Sequence, residues 1–339
     1  MWVRATGGDM RALGISRYGD ETVMERWEIP VPVVGSDQVL VRVHYAGVNF
    51  MDIHTRQGKY ANSRTYRVGL PVGLGMEGAG EVIEVGPDVH DVVPGERVAW
   101  CLSWGSYAEV AVVPRARLAH VPDDIGLDVA AASLFSGCTA HYLVHDVAQV
   151  AAGMTCLVHA ASGTIGQLLV QMAAVRGARV LATTSTEPKA AIARAKGAGE
   201  AFVYDNGGFV EDVLAATGGR GVDVSFDAVG APTLRASLRC TRPRGLVVNY
   251  GSVGGAVHDL DPLELGEGGS LFLTRPRLAD YIATRDELQR RSVELFEGIR
   301  LGAWGVDIAD VVTLEEAGNA LSELEGRRRI GKALVRIAG

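Results

Sequence analysis

The chain has 339 residues, of which 47% are hydrophobic and 22% charged, and its formal net charge is −7. This length is enough for a sizeable core split between two domains, and the acidic balance argues against a protein that binds nucleic acid. No run of about 18 apolar residues suggests a membrane span. The four cysteines form no C-x-x-C pair and the N-terminus has no apolar leader, so we expect a cytoplasmic protein.

The first third of the chain has the pattern of β-strands. Between about residues 10 and 122, runs such as "VLVRVHYAGVN" and "GAGEVIEVG" alternate apolar and polar residues, and glycine and proline punctuate them. Apolar residues every three or four positions in "DVAAASLFSGCTAHYLVHDVA" then predict a helix. We therefore expect a mostly β lobe first.

Strands and helices alternate from Thr155 onwards. The strand-like runs are "TCLVHAA", "RVLATTS", "AFVYD", "VDVSFDAV" and "LVVNYGS", and a helical pattern separates each from the next. Such alternation with apolar strands predicts an α/β fold with a doubly wound parallel sheet of the Rossmann type.

One further strand, "SLFLTRP", and a long amphipathic helix that starts at "LADYIATRDEL" follow the alternating region. The last part of the chain ends in "GKALVRIAG" and is expected to rejoin the first lobe. The predicted domains are therefore 1–134 with 277–339, the mostly β domain, and 135–276, the alternating α/β domain.

Two glycine-rich stretches compete as a cofactor site. The stretch Gly73–Gly78, "GLGMEG", spells G-x-G-x-x-G, but a strand pattern follows it and no helix supplies amide groups, so we interpret it as a turn. The second stretch lies between the strand "TCLVHAA" and the helix "QLLVQMAAVRGA", although alanine replaces the first glycine. We predict that it binds a pyrophosphate, the alternative being a plain strand–helix turn. Its residues are Ser162, Gly163, Thr164, Ile165 and Gly166.

The end of the next strand indicates which dinucleotide binds. NAD sites commonly place a carboxylate about 20 residues past the glycines, but "ATTST" stands there. Ser185, Lys189 and Tyr204 offer hydroxyls and a cation, which suit a 2′-phosphate, so NADPH is the predicted cofactor. Glu187 is a nearby acid that argues for NAD instead, but an acid is ordinary at the start of a helix.

Metal and nucleophile signatures are weak. His141 and His145 are four residues apart on a predicted helix, but no third ligand completes a recognisable set and H-E-x-x-H is absent. No G-x-S-x-G motif marks a hydrolase serine. We therefore predict no metal ion and no serine nucleophile.

Several motifs together resemble one family. The runs "AGVNFMDIHTRQGKY", "GMEGAGEVIEVG", "HAASGTIGQLLVQMA", "SFDAVG", "GSLFLTRPRLADYIATRDEL" and "GKALV" occur in the order found in zinc-free medium-chain reductases. The likeness is to their NADPH:quinone oxidoreductase (zeta-crystallin-like) group and covers about residues 10–337. It implies a GroES-like catalytic lobe, a Rossmann lobe and an active site between them. It also implies a homodimer in which the strand 270–276 extends the sheet.

The resemblance also implies roles for single residues. Asn49 and Tyr60 match catalytic positions, and Asn49 also lies near the nicotinamide in the family. Asp52 matches a structural position, and His54 replaces a tyrosine, which bears on substrate preference. Zinc-dependent relatives carry a histidine at the position of Met76 and a cysteine near that of Asn49. The remaining cofactor positions implied by the family, besides Lys189 and Tyr204, are Thr139, Tyr250, Gly251 and Arg327.

The predicted function is that of a zinc-independent quinone oxidoreductase, which transfers hydride from NADPH to a quinone in the cleft between the domains. We expect Asn49, with Tyr60, to orient the carbonyl of this small-molecule acceptor. The first alternative is an enoyl or alkenal reductase acting on α,β-unsaturated carbonyls. The second is a non-enzymatic, NADPH-binding structural or nucleic-acid-binding protein of the zeta-crystallin type.

Overall fold

The computed structural model describes residues 4–204, 208–326 and 330–337, with side chains from residue 8 onwards. The chain forms two compact units. Unit 1 comprises Met1–Cys138, Ile282–Arg300 and Val306–Gly339, and unit 2 comprises Thr139–Tyr281 and Leu301–Gly305. We keep the boundaries predicted from the sequence, 1–134 with 277–339 and 135–276, as a proposal for the two domains.

The strands and helices of the first part of the chain are mostly β. The strands are β1 (Arg4–Ile15), β2 (Met24–Pro32), β3 (Gln38–Gly47), β4 (Val72–Gly73), β5 (Glu77–Val85), β6 (Arg97–Cys101), β7 (Val110–Pro114) and β8 (Leu118–His120). The helices are α1 (Phe50–Arg56) and α2 (Leu127–Tyr142), which a π-helical turn, Leu143–Val147, continues.

Strands and helices alternate in the middle of the chain, as predicted. The strands are β9 (Thr155–Val158), β10 (Arg179–Thr184), β11 (Glu200–Val203), β12 (Val222–Asp227), β13 (Thr241–Asn249) and β14 (Phe272–Thr274). The helices are α3 (Thr164–Val175), α4 (Glu187–Ala195), α5 (Val210–Ala216), α6 (Leu234–Cys240), α7 (Leu263–Glu267) and α8 (Leu278–Tyr281). The last part holds α9 (Arg285–Arg300), β15 (Ile308–Thr313), α10 (Ala317–Glu325) and β16 (Lys332–Arg336).

Unit 1 is built on two sheets. One has the strand order β2-β1-β4, and the other has the order β15-β16-β3-β5-β6-β8, with β7 pairing β3 as well. Val39, Val41 and Val43 alternate along β3, are fully buried, and pack in one cluster with Trp100. The period-2 pattern read from the sequence therefore fixes which face of β3 is in the core. The strand β16, from the C-terminal part of the chain, lies between β15 and β3.

Unit 2 contains a six-stranded parallel sheet of order β11-β10-β9-β12-β13-β14. Every residue of β9 and β12 is buried, as expected for central strands covered on both faces. β9 is mostly apolar, whereas β12 alternates and buries Asp223, Ser225 and Asp227 as well. The order reverses at β9, so the chain winds in both directions from that strand. The predicted doubly wound parallel sheet is confirmed.

The single long helix predicted from residue 278 is wrong, because the chain forms α8 and α9 instead. Thr284 and Glu287 cap the start of α9 reciprocally: Thr284 N–H donates to the Glu287 carboxylate at 3.0 Å, and Glu287 N–H donates to Thr284 Oγ1 at 3.3 Å. Such a capping box satisfies orphan donors at a helix start and favours a new helix there.

The stretch Leu127–Val147 is the one helix in the described ranges that is long and apolar enough to cross a membrane, and 78% of its most apolar window is buried within the protein. Core helices meet the same criterion, so this stretch is weak evidence for a span.

Candidate active site

The glycine-rich turn of unit 2 joins a strand directly to a helix. β9 ends at Val158, and α3 begins at Thr164, after Gly163. Ala160 takes the left-handed conformation, at φ 50°. A Cβ at Gly166 would lie 2.3 Å from the Ala160 carbonyl oxygen, so only glycine lets the first turn of α3 pack this closely against the loop. This is the strand–turn–helix arrangement that a dinucleotide pyrophosphate requires.

Polar residues follow the next two strands of the chain. Ser185, between β10 and α4, is exposed, and Lys189 Nζ donates to its Oγ at 3.2 Å. Tyr204 directly follows β11, which pairs with β10 in parallel. Glu187, the acid that argued for NAD, forms an ion pair with Arg194. The Ser185 hydroxyl and the Lys189 ammonium, both predicted to bind a 2′-phosphate, are thus side by side, while the competing Glu187 carboxylate has a cationic partner.

The other predicted cofactor residues lie at three places. Tyr250 and Gly251 follow β13, and their N–H groups donate to the carbonyl of Asp227, at the end of β12, at 2.9 and 3.3 Å. Thr139 is buried in α2. Arg327 lies outside the described residues.

The parallel sheet brings most of these residues to one edge. The carboxyl ends of neighbouring parallel strands meet at the same edge, and in such folds the ligand crevice lies outside those ends. The predicted residues that directly follow a strand or open α3 are Thr164, Ile165, Ser185, Tyr204 and Tyr250, and Ser162 lies in the loop between β9 and α3.

Asn49, in unit 1, is the residue before α1, and both the Nδ2 and the Oδ1 of its side chain form hydrogen bonds. Its N–H donates to Asp52 Oδ2 at 3.1 Å, which gives Asp52 a capping role. Its Nδ2 donates to Gly47 O at 3.2 Å and to Glu77 Oε2 at 3.0 Å, and its Oδ1 accepts from Lys332 Nζ at 2.6 Å. Since both amide hydrogens are used, Asn49 can offer a ligand only a further lone pair on Oδ1.

Glu77 and Lys332 form a buried ion pair beside Asn49. Lys332 Nζ lies 2.7 Å from Glu77 Oε2, and the two side chains are 2% and 0% exposed. Glu77 Oε1 accepts the N–H of Phe135 at 2.7 Å. A Cβ at Gly47 would lie 2.3 Å from Glu77 Oε2, so a glycine is needed beside the carboxylate. The buried ion pair is stabilised because further hydrogen bonds satisfy the remaining polar atoms of both side chains.

Sequence reasoning missed this pair. The available signal is a single charge within each of two otherwise small or apolar runs, "GMEGAG" and "KALV". Charged side chains are almost never fully buried unless they are paired, so each run invites a search for a partner.

Tyr60 belongs to a cluster of aromatic rings. Its hydroxyl lies 3.2 Å from His54 Nδ1, and its ring centroid is 5.4 Å from that of Tyr66. The ring of Phe50 lies 6.3 Å from that of His54. Both members of the hydroxyl–imidazole pair are partly exposed. Unit 1 thus has a cluster of aromatic rings, tilted against one another, that includes the phenol groups of Tyr60 and Tyr66.

Asp52 is fully buried, and its burial raises the pKa of its carboxyl to about 7. The charge of Lys332 and hydrogen bonds from Asn49 N–H and the Tyr107 hydroxyl oppose that rise. The pKa of Asp52 in the folded protein is above the ordinary value near 3.9. At a pH between these two values the folded protein therefore binds one proton more than the unfolded chain. The contribution of this proton binding to the free energy of unfolding is complete below the ordinary pKa and is lost as pH rises through 7.

We therefore expect Asp52→Asn to change the pH dependence of stability. The asparagine keeps an oxygen acceptor for Asn49 N–H but binds no proton. Between pH 5 and 7 the free energy of unfolding should fall less with pH in the variant, by up to about 1.4 kcal/mol per pH unit. Urea unfolding of both proteins at pH 5, 6 and 7 measures the difference. Parallel curves would contradict the raised pKa.

Two family models match the chain. The alcohol dehydrogenase GroES-like domain matches residues 35–123, and the zinc-binding dehydrogenase model matches residues 164–295. The chain is 36% identical over 326 residues to a quinone oxidoreductase of Pseudomonas aeruginosa, over 96% of this chain and 99% of that protein. It is 39% identical over 313 residues to a 2-haloacrylate reductase of Burkholderia sp, over 91% and 93%. The structure of Escherichia coli quinone oxidoreductase complexed with NADPH matches with a TM-score of 0.91 at 34% identity, over 96% and 99%.

The GroES-like and dehydrogenase matches, with the parallel sheet of unit 2, define an oxidoreductase of the medium-chain dehydrogenase/reductase type. The chain belongs to the quinone oxidoreductase group of that family. The family, the fold class and the enzymatic nature predicted from the sequence are thereby confirmed.

Proposed function

We propose that this oxidoreductase is a zinc-independent quinone reductase that uses NADPH. The observation that carries the proposal is the similarity to quinone oxidoreductases over nearly the whole chain. The residues of the two units support it, because unit 2 offers a dinucleotide turn and unit 1 offers a phenol group among aromatic rings.

NADPH is the cofactor, and the residues of unit 2 fit it. When bound, it supplies a hydride from C4 of its nicotinamide. The N–H groups in the first turn of α3, after Gly163, would hold the pyrophosphate. Lys189 and Ser185, already bonded to each other, would hold the 2′-phosphate.

Lys189→Ala is expected to raise KM for NADPH by about 10- to 100-fold, since a hydrogen bond to a charged group contributes about 1.5–3 kcal/mol. KM for NADH should change by less than about twofold, because NADH has no 2′-phosphate. Steady-state kinetics with both nucleotides measures the difference. Lys196→Ala, just after α4, is the matched control. Equal losses for the two nucleotides would refute the assignment.

The residues of unit 1 do not fit zinc. Met76, at the position of a histidine ligand, is buried and offers a thioether. The oxygens of Asn49 and Glu77 that a cation would seek are both bonded to the Lys332 ammonium, which repels a metal ion. Hydride transfer is therefore proposed to depend on positioning and on a polarised acceptor, without Lewis-acid help.

A quinone suits the groups on the acceptor side. It is planar and apolar and ends in a carbonyl, which matches the aromatic rings around Tyr60. We propose that the Tyr60 hydroxyl donates to that carbonyl. Asn49, whose amide hydrogens are committed, contributes an acceptor and shape.

A second acceptor class, α,β-unsaturated carbonyl compounds, is favoured by the similarity to 2-haloacrylate reductase. The test is a screen of NADPH oxidation against matched panels of quinones and enones, with and without EDTA. We expect quinones to have the higher kcat/KM and EDTA to have no effect. Higher kcat/KM for enones would establish the second class, and turnover with neither panel would refute the reductase.

The edge strand β14 supports a homodimer. β14 is the last strand in the order of the unit 2 sheet, and Phe272 on it is 64% exposed. We propose that residues 270–276 pair with a second copy, in a cytoplasmic enzyme. Sedimentation equilibrium of the native protein at micromolar concentration tests the assembly, and a monomer would refute it.

A further inference from the structure

The turn after α1 places a histidine against the proposed catalytic phenol. Gly58, at φ 73°, reverses the chain, and Lys59 N–H donates to the carbonyl of His54 at 3.0 Å. Tyr60 Oη then lies 3.2 Å from His54 Nδ1, and the two rings meet edge to face with centroids 5.8 Å apart. One hydrogen bond therefore links the phenol directly to the imidazole.

His54 is neutral over the physiological range. Burial lowers its pKa to about 4, and the positive charge of Lys59 acts in the same direction. The carboxylate of Glu325, in α10, opposes them more weakly. A neutral imidazole carries one N–H and one lone pair, so it can accept a proton on one nitrogen while it gives one from the other.

We propose that His54 relays protons from solvent to Tyr60 during acceptor reduction, an inference that rests on the proposed function. Hydride transfer leaves an anion, a hydroquinone monoanion or an enolate. Tyr60 Oη–H protonates that anion, which forms an O–H or C–H bond. His54 Nδ1–H then reprotonates the phenolate while Nε2 takes a proton from solvent, and the imidazole stays neutral as its other tautomer. NADPH, acceptor and one solvent proton thus give NADP⁺ and reduced acceptor.

The relay is distinct from simple positioning of Tyr60. A glutamine at residue 54 can donate a hydrogen bond to Tyr60 Oη, but an amide does not pass protons between its atoms at neutral pH. His54→Gln therefore preserves orientation and removes the relay, whereas His54→Phe removes both. Tyr18→Phe, which deletes the hydroxyl of an exposed tyrosine outside the cluster, is the control for loss of a phenol group.

The test is steady-state kinetics of the full-length variants with a quinone and an enone, after unfolding curves have shown that each is folded. Tyr60→Phe should lower kcat about 100-fold, a typical contribution of general acid catalysis. His54→Gln should lower kcat about tenfold with KM nearly unchanged, and Tyr60→Phe with His54→Gln should be no slower than Tyr60→Phe alone. Tyr18→Phe should stay within about twofold of the wild type.

Several outcomes decide the matter. Wild-type kcat in His54→Gln, or additive losses in the double variant, would overturn the relay while the reductase stands. No turnover of either acceptor by the wild type would overturn the proposed function and the relay with it. The ¹⁵N spectrum of imidazole-labelled wild-type protein gives a readout that does not depend on variants. We expect His54 to be neutral at the assay pH with its proton on Nδ1, the nitrogen that faces Tyr60 Oη, and a proton held on Nε2 instead would contradict the relay.

Discussion

Lys332→Met is expected to lower the free energy of unfolding by about 3–5 kcal/mol, the usual cost of leaving a buried charge without its partner. Glu77 is fully buried, and its Oε2 would lose the ammonium that lies 2.7 Å away. The remaining donors, Asn49 Nδ2 and the N–H of Phe135, do not compensate a full negative charge. Urea unfolding at pH 7.5 measures the loss.

Two variants control this result. Adding Glu77→Gln to Lys332→Met removes the stranded charge and should recover most of the stability, because replacing both members of a buried pair by neutral groups is often close to neutral. Arg17→Met, at an exposed position between β1 and β2, should change stability by less than about 0.5 kcal/mol. A loss below about 1 kcal/mol for Lys332→Met would show that the pair is not energetically coupled.

Gly166→Ala is expected to cost about 3 kcal/mol of stability and to weaken NADPH binding, because the added methyl group overpacks the turn. Its Cβ would lie 2.3 Å from the Ala160 carbonyl oxygen and 2.8 Å from Ala161 Cα. Both are backbone atoms, so relief requires movement of the turn itself. Thermal unfolding and fluorescence titration with NADPH measure the two effects.

Gly163→Ala is the matched comparison in the same turn. Its Cβ would have the Ala160 carbonyl oxygen as its nearest neighbour at 3.3 Å, and its φ of −75° suits alanine. The variant should stay within about 1 kcal/mol of wild-type stability. It should still bind NADPH more weakly, since the second glycine of the fingerprint lets the backbone approach the pyrophosphate. Equal stability of the two variants would contradict the steric argument.

Local patterns in the sequence predict most of the fold. Apolar runs identify the strands of the parallel sheet, and the run "SLFLTRP" contains β14. The break between α8 and α9 could also have been found, because Thr284 and Glu287 form the T-x-x-E signature of a capping box. That signature was missed since the amphipathic pattern continues across it.

The proposed acceptor-side site, which comprises Asn49, Tyr60 and the Glu77–Lys332 pair, is harder to predict because its residues are far apart in the chain. Lys332 and Glu77 are 255 residues apart, and they meet only because β16 pairs with β3 and β3 pairs with β5. The register of such distant strands is set by tertiary packing. The resemblance to a family supplied Asn49 and Tyr60, but it did not reveal that both amide hydrogens of Asn49 are committed.

The position of β16 also affects the order in which the protein can be assembled during synthesis. The ribosome makes Asn49 and Glu77 early, but the cation bonded to both, Lys332, follows Glu77 by 255 residues. The parallel sheet of unit 2 uses strands that lie between residues 155 and 274, so it can fold while translation continues. The proposed acceptor-side site can therefore be completed only after every strand of the parallel sheet has been synthesised.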